Sequence, residues 1–330
     1  MNRRRQLLLA VGIMPLTLAL VGLAQPVNGV RRIGYLSGNR QGNEADLLSW
    51  SITRHALLRA GWEEGRNLRI ERRYAEGDSS RLNDLARELV ALNVELIYAG
   101  LSAATLAAQR ATATIPIVMV GVISPVELGM VQSLAHPGGN VTGTTAPGVE
   151  TAAKSIQILR DVAPSLTRLA ILFNPTSPVA QSFNAARMRA ASALGMIVHT
   201  YPVTRSDEVP GALKAIDADS AQMLLVNWDG VFQTRLREIT NFALEHRILS
   251  IGVATYFTKF GGALYYGSNL EELIERSVSF VDRILRGAKP ADLPVEEPTN
   301  FDLVVNLKTM QAIGVTVPRG ILLRATEVIE

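Results

Sequence analysis

The sequence predicts an α/β protein of two doubly wound parallel-sheet lobes joined by a hinge. Past residue 30, short apolar runs of strand type alternate with amphipathic runs of helix type along almost the whole chain. The alternation closes in the loop His136-Pro137-Gly138-Gly139-Asn140 and then starts again, and 330 residues suffice for about two domains. A strand that is always followed by a helix pairs in parallel with the next strand, so helices come to cover both faces of each sheet.

The first run opens with the strand Arg32-Ile33-Gly34-Tyr35-Leu36-Ser37, a helix from Glu44 to Ala60 and a strand from Leu68 to Tyr74. Asp78 or Ser79 caps a helix whose Leu82, Leu85, Ala86, Leu89 and Val90 recur at three-four spacing. Val94 to Ala99 reads as a buried strand, Ser102 to Thr112 as a helix and Ile115 to Val122 as a strand, with a short helix from Pro125. The second run reads as helix Thr151 to Val162, strand Arg168 to Phe173, helix Val179 to Leu194, strand Met196 to Val203 and helix Glu208 to Ile216. Strand Gln222 to Asn227, helix Phe232 to His246 and strand Leu249 to Val253 follow.

Beyond Gly261-Gly262-Ala263-Leu264-Tyr265-Tyr266-Gly267, a Ser268…Glu271 capping box opens a helix with Leu270, Leu273, Ile274, Val278, Val281, Ile284 and Leu285 on one stripe. Gly287 and Pro290 end it, and the tail holds an apolar run from Phe301 to Val305 and a closing helix near Ile321 to Ile329. These elements place residues 30–145 and 258–290 in an N-terminal lobe and 146–257 and 291–330 in a C-terminal lobe, with hinge crossings near 144–148, 256–260 and 288–294.

Ahead of the first strand, Arg3-Arg4-Arg5 precedes an uncharged, Leu-rich run from Leu7 to Ala24, and Gly22-Leu23-Ala24 has the small residues a signal peptidase reads. Residues 1–24 are therefore expected to be an export signal cleaved after Ala24, which puts the mature chain in a periplasm. Pro15, Gly12 and Gly22 weaken the alternative, an uncleaved membrane anchor. Arg4-Arg5-Gln6-Leu7-Leu8 also resembles a twin-arginine signal, so the export route stays open. Three of the 33 basic residues lie in this leader, leaving 30 against 30 acids. Without a basic block, phosphate-backbone binding has no driving force, and no nucleic acid partner is expected. Cysteine is absent, which excludes a lipid anchor on a Cys at the cleavage site.

No phosphate-binding, dinucleotide-binding or nucleophile-elbow motif occurs, and Gly138 to Gly143 reads as a surface turn. His55, His136, His199 and His246 fall in separate elements without metal-ligand spacing. Neither catalytic residues, nor a metal, nor a cofactor is expected. The informative polar residues lie just past strand ends, where open parallel sheets bind ligands on free backbone N–H groups. They are Asn39, Ser102, Ala103 and Ser124 in the first lobe, and Asn174, Thr176, Ser177, Trp228, Asp229 and Tyr256 in the second. Ser102 and Ser124, with the Ala103 amide at a helix N-terminus, are expected to hold a carboxylate. Trp228 offers an apolar wall and Asp229 a counter-charge for an amine.

At these residues the chain resembles the exported substrate-binding proteins of ABC transporters, specifically the tryptophan/tyrosine-type family with the type I periplasmic-binding-protein fold. The resemblance runs from Arg32-Ile33-Gly34-Tyr35-Leu36-Ser37-Gly38 through Leu134-Ala135-His136-Pro137-Gly138-Gly139-Asn140-Val141-Thr142-Gly143 and Gly287-Ala288-Lys289-Pro290-Ala291-Asp292-Leu293-Pro294-Val295-Glu296. It continues in Asn306-Leu307-Lys308-Thr309 and ends in Ala325-Thr326-Glu327-Val328-Ile329-Glu330. It implies a monomer that captures a small-molecule carboxylate, an amino acid or an aromatic or branched acid, between its lobes and docks on ABC permease subunits. Family members often carry Asp where this chain has Ser124, whereas Asp229 matches an acid the family commonly has. The other readings are a periplasmic ligand sensor that presents its closed form to a membrane receptor, and an exported enzyme, for which no nucleophile-base pair is visible.

Overall fold

Strands that are apolar on both faces need helices on both sides. The computed structural model describes residues 29–330 apart from 147, 253 and 254, and it holds two such sheets. The leader expected at 1–24 lies outside the described residues. β1 (Arg31–Ser37), β2 (Leu68–Tyr74), β3 (Leu96–Gly100), β4 (Ile117–Val122) and β5 (Val141–Thr145) form the first sheet. Their order is β2-β1-β3-β4-β5 and every pair is parallel. α1 (Glu44–Arg59), α2 (Leu82–Ala91) and α3 (Leu101–Ala111) supply its crossovers.

α4 (Val149–Val162) leads into the second sheet, built from β6 (Arg168–Phe173), β7 (Ile197–Pro202), β8 (Met223–Val226), β9 (Leu249–Gly252), β10 (Leu264–Ser268), β11 (Phe301–Asn306) and β12 (Glu327–Ile329). Their order is β12-β11-β10-β9-β8-β6-β7; β10 pairs antiparallel with β11, and the other neighbours pair in parallel among the described residues. The connecting helices are α5 (Ala180–Ala193), α6 (Val209–Ala218), α7 (Gly230–Gln233), α8 (Leu236–Glu245), α9 (Leu270–Leu285), α10 (Leu307–Ala312) and α11 (Arg319–Leu322). Among the described residues no helix is long and apolar enough to cross a membrane.

The chain passes between the lobes three times. It leaves β5 for α4 after Ala146, returns between Ser268 and Leu270, and leaves again after Glu296, whose carbonyl accepts from the Thr145 amide at 2.9 Å. The expectation that 258–290 belongs to the N-terminal lobe is corrected. The apolar run Leu264–Ser268 pairs with β9 and β11, so it is a strand of the second sheet, and only α9 returns to the first. There α9 packs on β3, β4 and β5, while Trp62 Nε1 donates to Asp282 Oδ1 at 2.9 Å and Tyr98 Oη pairs with Ser277 Oγ at 2.6 Å. Leu270, Leu273, Ile274, Val278, Phe280, Val281, Ile284 and Leu285 are all buried. At about 1.5–3 kcal/mol for each large apolar side chain, that stripe is ample to hold a helix away from the sheet its preceding strand belongs to. Nor do residues 291–296 follow the second lobe as expected. Thr142 Oγ1 donates to the Leu293 carbonyl at 2.7 Å and pins them beside β5.

Local differences have local causes. The residue capping α9 is Asn269, which accepts from the Glu272 amide at 3.1 Å, because Ser268 is spent as the last residue of β10. The segment after Pro125 forms successive turns rather than a helix. The run from Phe232 to His246 breaks into α7 and α8, and the tail closes in β12, where a helix was expected. Gly143, in the expected surface turn, belongs to edge strand β5 at φ 131°, and a Cβ there would stand 2.2 Å from the Met119 carbonyl oxygen. Only glycine lets β5 approach β4 so closely at that position.

Candidate functional site

The carboxyl ends of β1 to β4 in the first sheet and of β6, β8 and β10 in the second line one cleft, and the first residue past β8, Asn227, is followed by Trp228 at its centre. Trp228 reaches from the second lobe to the first. Its ring tip lies against Gly121, where a Cβ would stand 3.0 Å from Cη2, and Gly121 holds φ 62°, a conformation glycine adopts freely. Three adjoining chambers have Trp228 as a common wall.

The first chamber has apolar walls from Ile123, Ala152, Val179, Phe183 and Tyr266 and two buried charges, Arg187 and Asp229. Arg187 projects from α5, along the face that also carries Ala180, Phe183 and Ala191. It is 2% exposed, and no carboxylate among the described residues pairs with it. Nη1 donates a short hydrogen bond to Asn227 Oδ1, Nε has no partner, and the guanidinium carbon lies 5.5 Å from the centroid of the Phe183 ring. Burial pushes the group down to about 9, which leaves it charged at neutral pH. A buried cation without a counter-ion is costly, and an anionic guest removes that cost.

Asp229 lines the same chamber without forming an ion pair with Arg187. It caps α7 by accepting from the Val231 amide at 3.0 Å, and Asn174 Nδ2 donates to its two oxygens at 3.3 and 3.2 Å. Burial raises its pKa and outweighs these hydrogen bonds. A separated cation and anion in one apolar chamber match the carboxylate and ammonium of an amino acid.

Of the residues expected from sequence, Asn174, Ser177, Trp228 and Asp229 come together in this chamber. Ser102 and Ala103 line the third chamber, where Ser177, Trp228 and Asp229 also appear. Asn39 and Tyr256 line the second. Ser124 and Thr176 are corrections. Ser124, at φ 49°, lines none of the three chambers, although its neighbour Ile123 lines two. Thr176 turns inward to donate to Asn174 Oδ1 at 2.7 Å and faces a different, surface cavity beside Asp78 and Arg205. The Ser102 hydroxyl accepts from the Ile123 amide at 3.3 Å, so it is partly committed within its own lobe. Ser102 and Ser124 line no chamber together. Arg187 was missed, although an Arg recurring in register with Ala180, Phe183 and Ala191 is a charge on an apolar stripe and could have been flagged.

The lobes are closed on each other. Across the cleft rim Asn39 Nδ2 donates to Gln233 Oε1 at 3.3 Å, the Ser206 amide to the Gly77 carbonyl at 3.2 Å, and Arg237 to both oxygens of Glu44 at 2.8 and 2.7 Å. Burial of the Tyr256 hydroxyl raises its pKa, with the Trp228 indole working weakly against it. The indole N–H itself makes no hydrogen bond of good geometry.

Comparison with known proteins agrees with this architecture. Residues 50–329 match the family described as ABC transporter substrate binding protein. A tyrosine-binding protein of Clostridioides difficile (strain R20291) is 26% identical over 259 residues, 78% of this chain and 74% of that protein. The ABC domain from Streptococcus pneumonia in complex with L-Trp superposes with a TM-score of 0.81 at 22% identity, covering 91% of this chain and 100% of that one. The ligand-free, open form of a substrate binding protein with adhesive properties from Clostridium difficile gives 0.59 at 25% identity over 91% of this chain and 99% of that one.

Proposed function

The chain belongs to the ABC transporter substrate binding protein family, and on that premise we propose that it is exported, captures a small carboxylate between its lobes and delivers it to an ABC permease. The observation that carries the ligand class is Arg187, a buried guanidinium without a carboxylate partner in the wall of the interlobe chamber. Asp229 in the same wall favours an α-amino acid over a plain acid, and Trp228, Phe183 and Tyr266 favour an aromatic or branched side chain. A tyrosine-binding relative and an L-Trp complex among the similar structures support that preference. The amides of Ser102 and Ala103, at the start of α3, offer a weaker second anchor. Cleavage after Ala24, residence in a periplasm and action as a monomer go with this reading.

Thermal-shift screening of amino acids, aromatic acids and branched acids tests it. A ligand at 100 times its Kd stabilises by about 2.7 kcal/mol, so one class of hits is expected. If sugars or metal ions shift the melting temperature and no carboxylate does, the assignment is wrong.

A further inference from the structure

The second chamber shares only Trp228 with the first, and the capture of a carboxylate makes no use of it. Its one acid is Asp46 on α1, 4% exposed. Oδ2 accepts from the Gly42 amide at 2.9 Å, the Tyr74 hydroxyl lies within hydrogen-bonding reach of the carboxylate, and Oδ1 is buried without a partner of good geometry, so burial still raises the pKa of the group, a cost that a cationic guest would relieve. Among the described residues no cation forms an ion pair with it. Arg72, whose charge reaches it most strongly, is held by both Glu64 oxygens at 2.7 Å and stacks 4.1 Å over the Trp50 ring.

Four aromatic side chains stand in the same lining, among small polar and aliphatic ones. Tyr35 and Tyr98 stack at 6.0 Å and 21°, and Tyr256 and Trp228 enter from the opposite lobe. The Tyr98 hydroxyl is occupied by Ser277, which leaves its ring as the surface it offers. Ring faces carry negative charge and attract cations, most of all weakly hydrated organic ones. A compact metal ion would demand several oxygen ligands, and Asp46 is the only carboxylate here. A neutral guest would leave the carboxylate uncompensated. We propose that this chamber is a second binding site, for a small alkylammonium ion held by the Asp46 carboxylate and by the faces of Tyr35, Tyr98, Tyr256 and Trp228. Because two of those rings belong to the second lobe, the guest is enclosed only when the lobes close.

Calorimetric titration of the mature chain with methylammonium and tetramethylammonium chloride tests this, with sodium chloride at equal ionic strength and tert-butanol as the ionic and neutral controls. Saturable binding of at least one ammonium is expected, with none of tert-butanol. Asp46→Asn should weaken it tenfold or more. Ser49→Lys, which tethers an ammonium at the chamber wall from a helical position that tolerates lysine, should abolish it. Arg187→Met should leave it unchanged, which separates this site from the carboxylate chamber. Absence of saturable ammonium binding, equal binding of tert-butanol, or undiminished binding by a folded Asp46→Asn chain overturns the proposal. Should Asp46→Asn fail to fold, undiminished binding by Ser49→Lys overturns it instead.

Discussion

Gly230, the first residue of α7, lies against the backbone of Gly38, just past β1 in the opposite lobe. A Cβ on Gly230 would stand 2.6 Å from both the carbonyl carbon and the oxygen of Gly38. Gly230 is not in the left-handed region, so alanine fits its own backbone and collides only with the other lobe. Closure of the cleft thus depends on two glycines meeting, and the bonds around them, Asn39 to Gln233 and Arg237 to Glu44, form only in that state.

Gly230→Ala should therefore hold the lobes apart without unfolding either. Solution scattering is expected to give a larger radius of gyration for the variant than for the wild type under saturating ligand, with the melting temperature of the ligand-free protein little changed. Equal radii under ligand would show that closure tolerates the methyl group and that the contact is incidental.

The buried carboxyl of Asp229 makes a statement about pH. Its pKa is raised by burial, so between the ordinary carboxylate value and the raised one the folded chain binds more protons than the unfolded chain. The stabilising contribution is complete below the ordinary value and is lost as pH rises through the folded one. Exposed acids such as Glu44 and Asp207, lowered by Arg partners, slope the other way but are screened by solvent. The comparison that isolates Asp229 is wild type against Asp229→Asn in urea melts from pH 4 upward. The variant should lose the downward slope, and parallel curves would place the titration elsewhere. In binding assays at neutral pH the same variant should weaken an amino acid about tenfold, on the order of 1.4 kcal/mol, and leave an amine-free carboxylate unaffected.

Trp62 tests the return of α9 to the first lobe. Trp62→Phe keeps most of the packing of a side chain that is 2% exposed but removes the donor to Asp282. Loss of a hydrogen bond to a charged group should cost about 1.5–3 kcal/mol of stability in chemical denaturation. Ligand affinity should be unchanged, because neither residue lines a chamber. A silent variant would mean that this hydrogen bond adds nothing to the contacts that seat α9.

Much of this fold was legible because period and burial coincide: β6 was bounded correctly from its apolar run, and α9 from its stripe. What failed depended on partners distant in sequence. Leu264–Ser268 looks the same whichever sheet takes it, and only the free edge of β9 decides. Val141–Thr145 follows a Gly-rich loop that resembles a turn until Gly143 is seen against Met119. In the site, Trp228 and Asp229 were legible as a strand terminus with unusual chemistry. Ser124 has a left-handed backbone that sequence does not announce, and it lines none of the three chambers. Arg187 was hidden in a helix read for its packing.

Arg187 is also where the carboxylate assignment is most exposed to test. A charge buried without a counter-ion lowers the stability of the empty protein, so Arg187→Met, similar in bulk and free of charge, should leave the ligand-free melting temperature unchanged or raise it. Binding should respond in the opposite direction. Truncating one partner of a buried charge pair costs about 2–5 kcal/mol, so carboxylates should become undetectable or nearly so in calorimetry. Arg187→Lys keeps the charge but loses the planar fork that bonds Asn227 and a carboxylate together, and it should recover only part of the affinity. If Arg187 merely braces Asn227, the outcome reverses: Arg187→Met would melt earlier and still bind. Stability and affinity moving in opposite directions in one variant is the signature expected of a residue held ready for an anion.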